Sequence, residues 1–245
     1  MDKSIYISMT GAKEAMDAQR LRANNLANVS TPGFKADFHQ YRSMSVFGEH
    51  HPTRAYAMGE RPATDVSAGS FMETARDLDM AIRGEGWFAV QTEDGEEAYT
   101  RAGDLKRDVS GLLTTGTGLP VMGEGGPIVL PEYEKLVLGV DGTISIKGLG
   151  EGSQELAQIN RLKLVNPPAE SLVKGEDGLF RSRNGDAVDV DPGVQVINGV
   201  LEGSNVNAVG EMTAVISHAR LFEMNIKMMQ NAKENDEASA RIMQS

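Results

Sequence analysis

The stretch MTAVISHARLFEMNIKMMQNAKENDEASARIM, residues 212–243, decides the fold of this 245-residue chain. Its apolar side chains recur every three or four residues, which is the spacing of a helix that packs against another helix. The recurring positions are Met212, Val215, Ala219, Phe222, Ile226, Met229, Ala240 and Met243. Lys233 and Asp236 occupy the two missing positions, so we expect the packing stripe to be interrupted near the end of the helix.

The N-terminal end of the chain has the same spacing. We predict a helix from about Asp2 to Leu26. Its regularly spaced positions are Ile5, Met9, Ala12, Met16, Gln19, Ala23 and Leu26. Two such helices at the two termini, separated by a different kind of sequence, predict a helical pair that encloses an insert.

Several apolar residues of the C-terminal helix lie off its main stripe, at Ile216, Leu221, Met224 and Met228. A helix with one partner has one apolar stripe, whereas apolar residues around much of the circumference indicate several partners. The pattern therefore predicts that the middle of the chain or other subunits cover these residues. Two ordinary core helices of a globular domain are the simpler alternative that periodicity leaves open.

The sequence between the two helices changes character twice. Residues 35–77 are irregular, and we predict an extended linker. From residue 78 onwards, short apolar runs alternate with turn dipeptides such as Asp94-Gly95, Asp141-Gly142 and Asn184-Gly185. The runs are Met80–Ile82, Trp87–Val90, Pro120–Met122, Ile128–Leu130, Leu136–Leu138, Thr143–Ile146, Leu162–Val165 and Val194–Ile197.

These patterns together predict an α+β fold. The terminal helices form a coiled-coil-like layer, and the insert is an all-β domain, either a partly closed barrel or a sandwich. The corresponding division assigns 1–34 and 205–245 to a discontinuous helical domain, 35–77 to the linker and 78–204 to the β domain. Asn207 is the predicted N-cap of the second helix.

The composition excludes several classes of function. The net charge of −11 argues against nucleic acid or an anionic membrane surface as the main partner. The absence of cysteine excludes disulfides and thiolate metal sites. No apolar run is long enough for a membrane span, and the first residues lack the apolar core of a signal peptide. We therefore expect any export from the cytoplasm to occur without a cleavable signal peptide.

The sequence contains no pattern typical of an enzyme. No nucleophile elbow, zinc-protease helix or phosphate-binding loop occurs. The adjacent His50 and His51 lie in a loop segment, where neighbouring side chains point apart, so a metal site there is disfavoured. Asp186, Asp189 and Asp191 approximate a calcium loop but lack its glycine turn and terminal glutamate. We predict no catalytic residue, cofactor, metal or small-molecule substrate.

A well-specified helix stop follows the first helix, in ANNLANVSTPGFK at residues 23–35. Asparagine tolerates the left-handed conformation that ends a helix. Pro32 favours extended geometry at Thr31, and Pro32-Gly33 suits a type II turn with a positive φ at Gly33. Phe34 is then expected to be a buried anchor just past the turn.

Residues 23–35 resemble, over their whole length, the signature of the flagellar rod and hook proteins. Further similar segments follow in the same order, at Gly84–Val90, Tyr99–Gly103, Leu201–Asn207 and Arg220–Lys227. Within that family, residues 1–7, 10–13, 126–128 and 178–180 are most similar to the proximal-rod members. We define the signature turn as Asn24, Asn25, Asn28, Thr31, Pro32, Gly33 and Phe34.

The resemblance implies a structural subunit of the bacterial flagellar basal body, which assembles through its terminal helices into the periplasmic proximal rod. It implies neighbouring copies of the chain, other proximal and distal rod proteins and the flagellar export apparatus as partners. We define the assembly seam as Ile5, Met9, Ala12, Met16, Ala23, Leu26, Met212, Val215, Ala219, Phe222, Ile226 and Met229. The alternatives are a distal-rod or hook-type subunit, and a secreted non-enzymatic binding protein that uses its β domain.

Overall fold

A computed structural model describes residues 4–46, 55–59, 63–148 and 156–244. Helix α1 spans Ser4–Ala27 and helix α2 spans Ala208–Gln244, so both predicted terminal helices are present. Asn207 caps α2 as predicted, because the Gly210 backbone N–H donates to its Oδ1 at 3.2 Å. The predicted helix start at Asp2 and the His50-His51 pair lie outside the described residues.

The described residues between the helices form short antiparallel strands, two to six residues long. The first five are β1 (Asp37–Phe38), β2 (Tyr41–Ser45), β3 (Ala55–Gly59), β4 (Ala63–Thr64) and β5 (Phe71–Glu73). The next eight are β6 (Met80–Arg83), β7 (Trp87–Gln91), β8 (Glu97–Thr100), β9 (Lys106–Arg107), β10 (Leu113–Thr114), β11 (Met122–Gly123), β12 (Gly126–Pro127) and β13 (Tyr133–Leu138). The last seven are β14 (Thr143–Gly148), β15 (Ala157–Arg161), β16 (Leu164–Val165), β17 (Leu172–Lys174), β18 (Phe180–Ser182), β19 (Gln195–Asn198) and β20 (Val200–Glu202), with a 3₁₀ turn at Ala169–Ser171.

The chain divides into two compact units. The helical unit comprises Met1–Val29, Ala36–Asp65 and Val206–Ser245, and the β unit comprises Ser30–Lys35 and Val66–Asn205. Compared with the division expected from the sequence, the second half of the signature turn falls with the β unit. The stretch expected to be a linker contains β1 to β5 and is divided between the two units.

In the helical unit, α1 and α2 pack against each other in antiparallel orientation. A β-carbon built on Gly11 would lie 2.9 Å from the Asn225 side chain, and Asn25 hydrogen bonds to Glu211. Moving 14 residues forward in α1 thus corresponds to moving 14 residues backward in α2. The hairpin of β2 and β3 lies against α1, where the Tyr41 hydroxyl donates to the Glu14 carbonyl at 3.1 Å.

In the β unit, the largest sheet has five strands in the order β16-β7-β8-β18-β17. A three-stranded sheet has the order β13-β14-β15, and the remaining pairs of this unit are β9 with β10, β11 with β12, β6 with β19 and β5 with β20. Among the described strands no sheet closes on itself, so the expected partial closure into a barrel is not observed. The strands are too short and too often separated by turns with positive-φ glycines for pairing to continue around a barrel.

The interior of the β unit is built from the apolar runs that the sequence predicts as strands. The larger cluster includes Met80, Ile82, Phe88, Val90, Leu136, Leu138, Ile144, Ile146, Leu162, Leu164 and Val196. A second cluster surrounds Trp87, whose ring centroid lies 4.4 Å from that of Phe180. The β pattern from residue 78 onwards therefore marks a real core, although its sheets are small.

Candidate assembly site

Helix α1 turns a face of small residues inward. Its buried residues are Ser8, Ala12, Ala15, Ala18 and Asn25, and Gly11 lies directly against α2. Of the assembly seam, Ala12 is buried and Ile5 and Leu26 are half-buried, whereas Ala23 is exposed. Met9 and Met16 are 54 % and 55 % exposed, so within one chain these methionines face solvent.

The contact positions of α1 nevertheless follow a heptad spacing. They are Ser8, Gly11, Ala15, Ala18, Arg22 and Asn25, which alternate steps of three and four residues. Most of them lie one residue before the corresponding seam position, a rotation of about 100° around an α-helix. Small side chains at such positions let two helix axes approach closely, while the larger methionines remain outside.

On α2, every second position of the assembly seam lies one residue after the position that faces α1. Its inward positions are Glu211, Val215, His218, Phe222, Asn225, Met229, Ala232 and Asp236, all buried or half-buried. Val215, Phe222 and Met229 of the assembly seam lie on this face, Ala219 and Ile226 flank it half-buried, and Met212 is exposed. The interruption expected at Lys233 does not arise within the chain, because buried Ala232 occupies the contact position and Lys233 points to Glu237.

A second stripe on α2 is exposed and carries no charge. It also follows the heptad spacing, at Ser217, Leu221, Met224, Met228, Asn231, Asn235, Ala238 and Ile242. Met224 and Met228 are 54 % and 59 % exposed. We call these eight residues the uncharged stripe. An exposed helix face with this spacing and without formal charge is typical of a surface that packs against another helix.

Helix α2 is much longer than the part that faces α1. The antiparallel register places Ser4 level with Ala232, and α2 continues to Gln244. Residues 233–244 therefore extend about 18 Å beyond that level, at 1.5 Å per residue. Ile242 and Met243 in this extension are largely exposed.

A polar cluster lies between α1 and α2 at the end opposite to this extension. Arg22 Nη1 donates to Glu211 Oε1 at 2.9 Å, and Asn25 Nδ2 approaches the same oxygen at 3.4 Å. Asn25 also donates to the Asp37 carbonyl at 2.9 Å and accepts from the Asp37 N–H at 3.0 Å. The signature asparagine Asn25 thus joins the end of α1 both to α2 and to β1.

His218 extends this polar region along α2. Its partial burial, together with the nearby charges of Arg22 and His39, holds its pKa below the ordinary value, and Glu211 acts in the opposite direction. His39 Nε2 lies 3.9 Å from Glu14 Oε2. Neutral His218 is therefore the form that suits the folded helical unit near neutral pH.

The signature turn has the geometry that its sequence predicts at Gly33. The Phe34 N–H donates to the Thr31 carbonyl at 3.3 Å, and Gly33 has φ +69°. A β-carbon at Gly33 would lie 2.3 Å from the backbone of Arg101 and of Ala102, so a side chain has no room there. Asn28 Nδ2 donates to the Asn24 carbonyl at 3.0 Å, which satisfies one carbonyl at the helix end. Phe34 is only half-buried, and Lys174 Nζ lies 4.1 Å from its ring centroid.

A buried cluster of three charges lies immediately after this turn. Glu202 accepts hydrogen bonds from Lys35 Nζ at 2.6 Å, from Arg101 Nη1 at 3.0 Å and from the Gly69 N–H at 3.0 Å. The Glu202 and Lys35 side chains are fully buried. Arg101 also donates to the Gly84 carbonyl at 2.8 Å, and its guanidinium lies 5.4 Å from the Trp87 ring centroid. We call Lys35, Arg101 and Glu202 the Glu202 cluster.

The Glu202 cluster joins segments that the sequence analysis singled out separately. Lys35 ends the signature segment, Arg101 lies in Tyr99–Gly103, Gly84 begins Gly84–Val90, and Glu202 lies in Leu201–Asn207. Sequence reasoning did not identify these three charges as a group. The available signal was that the similar segments other than Arg220–Lys227 each contribute a charged residue or a glycine to this site.

The described residues offer little that resembles a binding or catalytic centre. No group of three or more histidine, aspartate or glutamate side chains among them is arranged to hold a metal ion. An open groove of about 290 Å³ in the β unit is lined by Ala75–Asp77, Leu136–Leu138, Asn198 and Gly199. Neither helix, over its described residues, is long and apolar enough to cross a membrane.

Three family models match successive parts of the chain. The model described as "Flagella basal body rod protein" matches residues 5–35, which contain α1 and the signature turn. "Flagellar hook protein FlgE/F/G D1 domain" matches residues 81–146 in the β unit. "Flagellar basal body rod FlgEFG protein C-terminal" matches residues 197–242, which contain Glu202 and most of α2.

Several curated proteins are similar to the chain over nearly its full length. The flagellar basal-body rod protein FlgF of Escherichia coli K12 is 42 % identical over 241 residues, covering 96 % of each protein. The FlgF protein of Salmonella typhimurium is 39 % identical over 249 residues, covering 99 % of each protein. The flagellar basal-body rod protein FlgG of Buchnera aphidicola subsp. Schizaphis graminum is 32 % identical, with 96 % of this chain and 97 % of that protein covered.

Proposed function

This chain belongs to the family of flagellar basal-body rod proteins, and from this premise we propose that it is a structural subunit of the proximal rod. The family is one of structural proteins and not of enzymes. The observation that supports the proposal most directly is the 42 % identity with FlgF over 96 % of both chains. The FlgG relative, a rod protein of a different name, is less similar at 32 % identity.

Assembly in this proposal uses the faces of α1 and α2 that a single chain leaves exposed. On α1 these are Tyr6, Met9 and Met16, and on α2 they include the uncharged stripe. Burial of a methionine side chain in a subunit contact contributes about 1.5–3 kcal/mol. The assembly seam thus has two roles, since its inward positions hold the pair together and its outward positions meet neighbouring subunits. The coiled-coil-like layer expected from the sequence belongs to the assembled rod.

The partners and location follow from the same premise. The chain assembles with further copies of itself and with other rod components. It reaches the periplasmic rod through the flagellar export apparatus.

Deletion of the gene, followed by complementation with the intact chain, tests the proposal. Cells without the chain are expected to be non-motile, and basal bodies purified from them to contain incomplete rods by electron microscopy. Basal bodies from complemented cells should contain the chain by mass spectrometry. Motile deletion cells with complete rods would contradict the proposed function.

Cross-linking in complemented cells distinguishes the proximal rod from its alternatives. The chain has no native cysteine, so single cysteines on the uncharged stripe, such as Met224→Cys, give an unambiguous reaction site. Cross-links to proximal rod proteins are expected. Cross-links only to distal-rod or hook proteins would support the alternative position, and a chain never recovered with basal bodies would support a secreted binding protein.

A further inference from the structure

Packing of the α1 face against α2 does little to determine the register between the two helices. Between Ser8 and Ala18 its contact positions are Ser8, Gly11, Ala15 and Ala18, which are all small. A helix with a uniform row of small side chains presents nearly the same surface after a slide of seven residues, which is about 10.5 Å. Packing of this row alone therefore allows neighbouring antiparallel registers with similar contacts.

The only large polar contact positions of α1 lie at its C-terminal end. Glu211 is buried, and its Oε1 meets both Arg22, at 2.9 Å, and Asn25, at 3.4 Å. A slide of one heptad in one direction would place the Glu211 carboxylate opposite Ala18, seven residues from Asn25, and would break its present contacts with Arg22 and Asn25. A buried carboxylate without a partner carries a desolvation cost that the paired one does not.

We propose that Glu211, with Arg22 and Asn25, is a positioning residue that selects the antiparallel register of α1 and α2. The inference rests on the proposed function only for its consequence in the rod, where the register decides which face each helix presents to neighbouring subunits. A buried polar group at one position of a heptad seam is known to specify register at some cost in stability. Asn25 adds a connection to β1, which fixes α1 relative to the following strand.

Engineered disulfides in the purified full-length chain measure the register directly. Gly11→Cys with Asn225→Cys reports the observed register, because a β-carbon at Gly11 contacts the Asn225 side chain. Gly11→Cys with His218→Cys reports the slide of one heptad that would place Glu211 opposite Ala18. In the parent background we expect oxidation to cross-link the first pair and not the second. Absence of the first cross-link would overturn the proposed register.

The decisive comparison removes the polar contact without leaving a buried charge behind. In the double variant Arg22→Leu with Glu211→Leu, the helices keep an apolar contact, so helix content should be preserved or increased. We expect the shifted 11–218 cross-link to rise by about an order of magnitude in this background. A double variant that still gives only the 11–225 cross-link would overturn the proposal, because small-residue packing would then suffice.

The exchanged pair Arg22→Glu with Glu211→Arg separates positioning from general packing. It restores a donor and an acceptor at the same two positions, so we expect it to suppress the shifted cross-link again. A purely structural loss in the leucine variant would reduce both cross-links and the helix content together, which would also overturn the proposal. Because all measurements use the isolated chain, their outcome is independent of whether the chain occupies the proximal rod.

Discussion

At the scale of single residues, Gly33 is the most constrained position of the signature turn. Its φ of +69° and its approach to the backbone of Arg101 and Ala102 leave no space for a side chain. A non-glycine residue in the left-handed conformation costs about 1–2 kcal/mol. Because the valine side chain would also clash with this backbone, we expect Gly33→Val to destabilise the β unit by more than that amount. Urea unfolding followed by Trp87 fluorescence measures this loss.

Val29→Ala is the control for this prediction, because it only trims a half-buried side chain four residues earlier in the same segment. It should unfold at nearly the parent urea concentration. Equal unfolding midpoints for Gly33→Val and the parent would mean that the turn can adopt another conformation, and that its close contact with Arg101 is unimportant for stability.

We expect substitution of Glu202 to lower the unfolding free energy of the β unit strongly. Glu202→Gln removes the charge that Lys35 and Arg101 share in a fully buried site, and breaking a buried ion pair on one side costs about 3–5 kcal/mol. Glu124→Gln is the matched control, because Glu124 is exposed and its ion pair with Arg161 is worth about 0–1 kcal/mol. The same fluorescence-detected unfolding compares the two. Similar losses in both variants would show that Lys35 and Arg101 find other partners.

The two residue-scale features differ in how far sequence could predict them. The positive φ at Gly33 follows from a local dipeptide, Pro32-Gly33, so the turn was predictable. The pairing of Lys35 with Glu202 joins residues separated by 167 positions, and no local pattern specifies which buried charges meet. Long-range charge pairs of this kind become visible only once the fold has placed the segments.

At the scale of the elements, the sequence predicts the two helices and their heptad period, but it identifies only some of the residues that face the other helix. Hydrophobicity selects Met9 and Met16, whereas the helix contact uses Gly11, Ala15 and Ala18. Small residues score weakly as apolar, although they allow the closest approach of two helices. The methionines form a stripe of their own on the outside, and hydrophobicity alone does not separate it from the adjacent stripe of small residues.

The stability of the helical unit should depend on pH through His218. Its pKa is held below the ordinary value of about 6.5, so the neutral imidazole is favoured in the folded state. Its stabilising contribution is therefore complete above about pH 6.5 and is lost as the pH falls through the folded-state pKa. Urea unfolding followed by helix circular dichroism should show lower stability near pH 5.5 than near pH 7.5, at about the range where histidine titrates.

His218→Gln isolates this effect from the titration of carboxylates. The parent and the variant share all other titrating groups, so the difference between their pH profiles reports His218 alone. We expect the variant to lose less stability on acidification than the parent. Parallel profiles would mean that protonated His218 is accommodated beside Arg22 and His39 without cost.

At the scale of the whole molecule, folding and assembly should respond to different faces of α2. Met228→Glu places a charge on the uncharged stripe at a residue that is 59 % exposed in the single chain. Surface substitutions of this kind change stability by about 0.5 kcal/mol or less. A charge that must be buried against another helix costs several kcal/mol, so we expect loss of rods and motility at normal protein levels.

Gln230→Glu is the matched control for assembly. It adds the same charge to an exposed position of the same helix, but outside the uncharged stripe. Swimming assays and recovery of rods should show this variant to be close to the parent. If Met228→Glu also assembles normally, the uncharged stripe is solvent-facing in the rod and the subunit contacts lie elsewhere.

The unequal lengths of α1 and α2 have a mechanical consequence. Twelve residues of α2, 233–244, continue past the level of the first described residue of α1. If such pairs were stacked along their common axis, flush ends could not meet, and the protruding end would have to lie alongside the next pair. The result would be a staggered overlap of successive helical pairs, in which torque is transmitted through the lateral contacts between overlapping helices. Shortening the protruding end should therefore weaken the coupling between successive subunits more than it weakens any one of them.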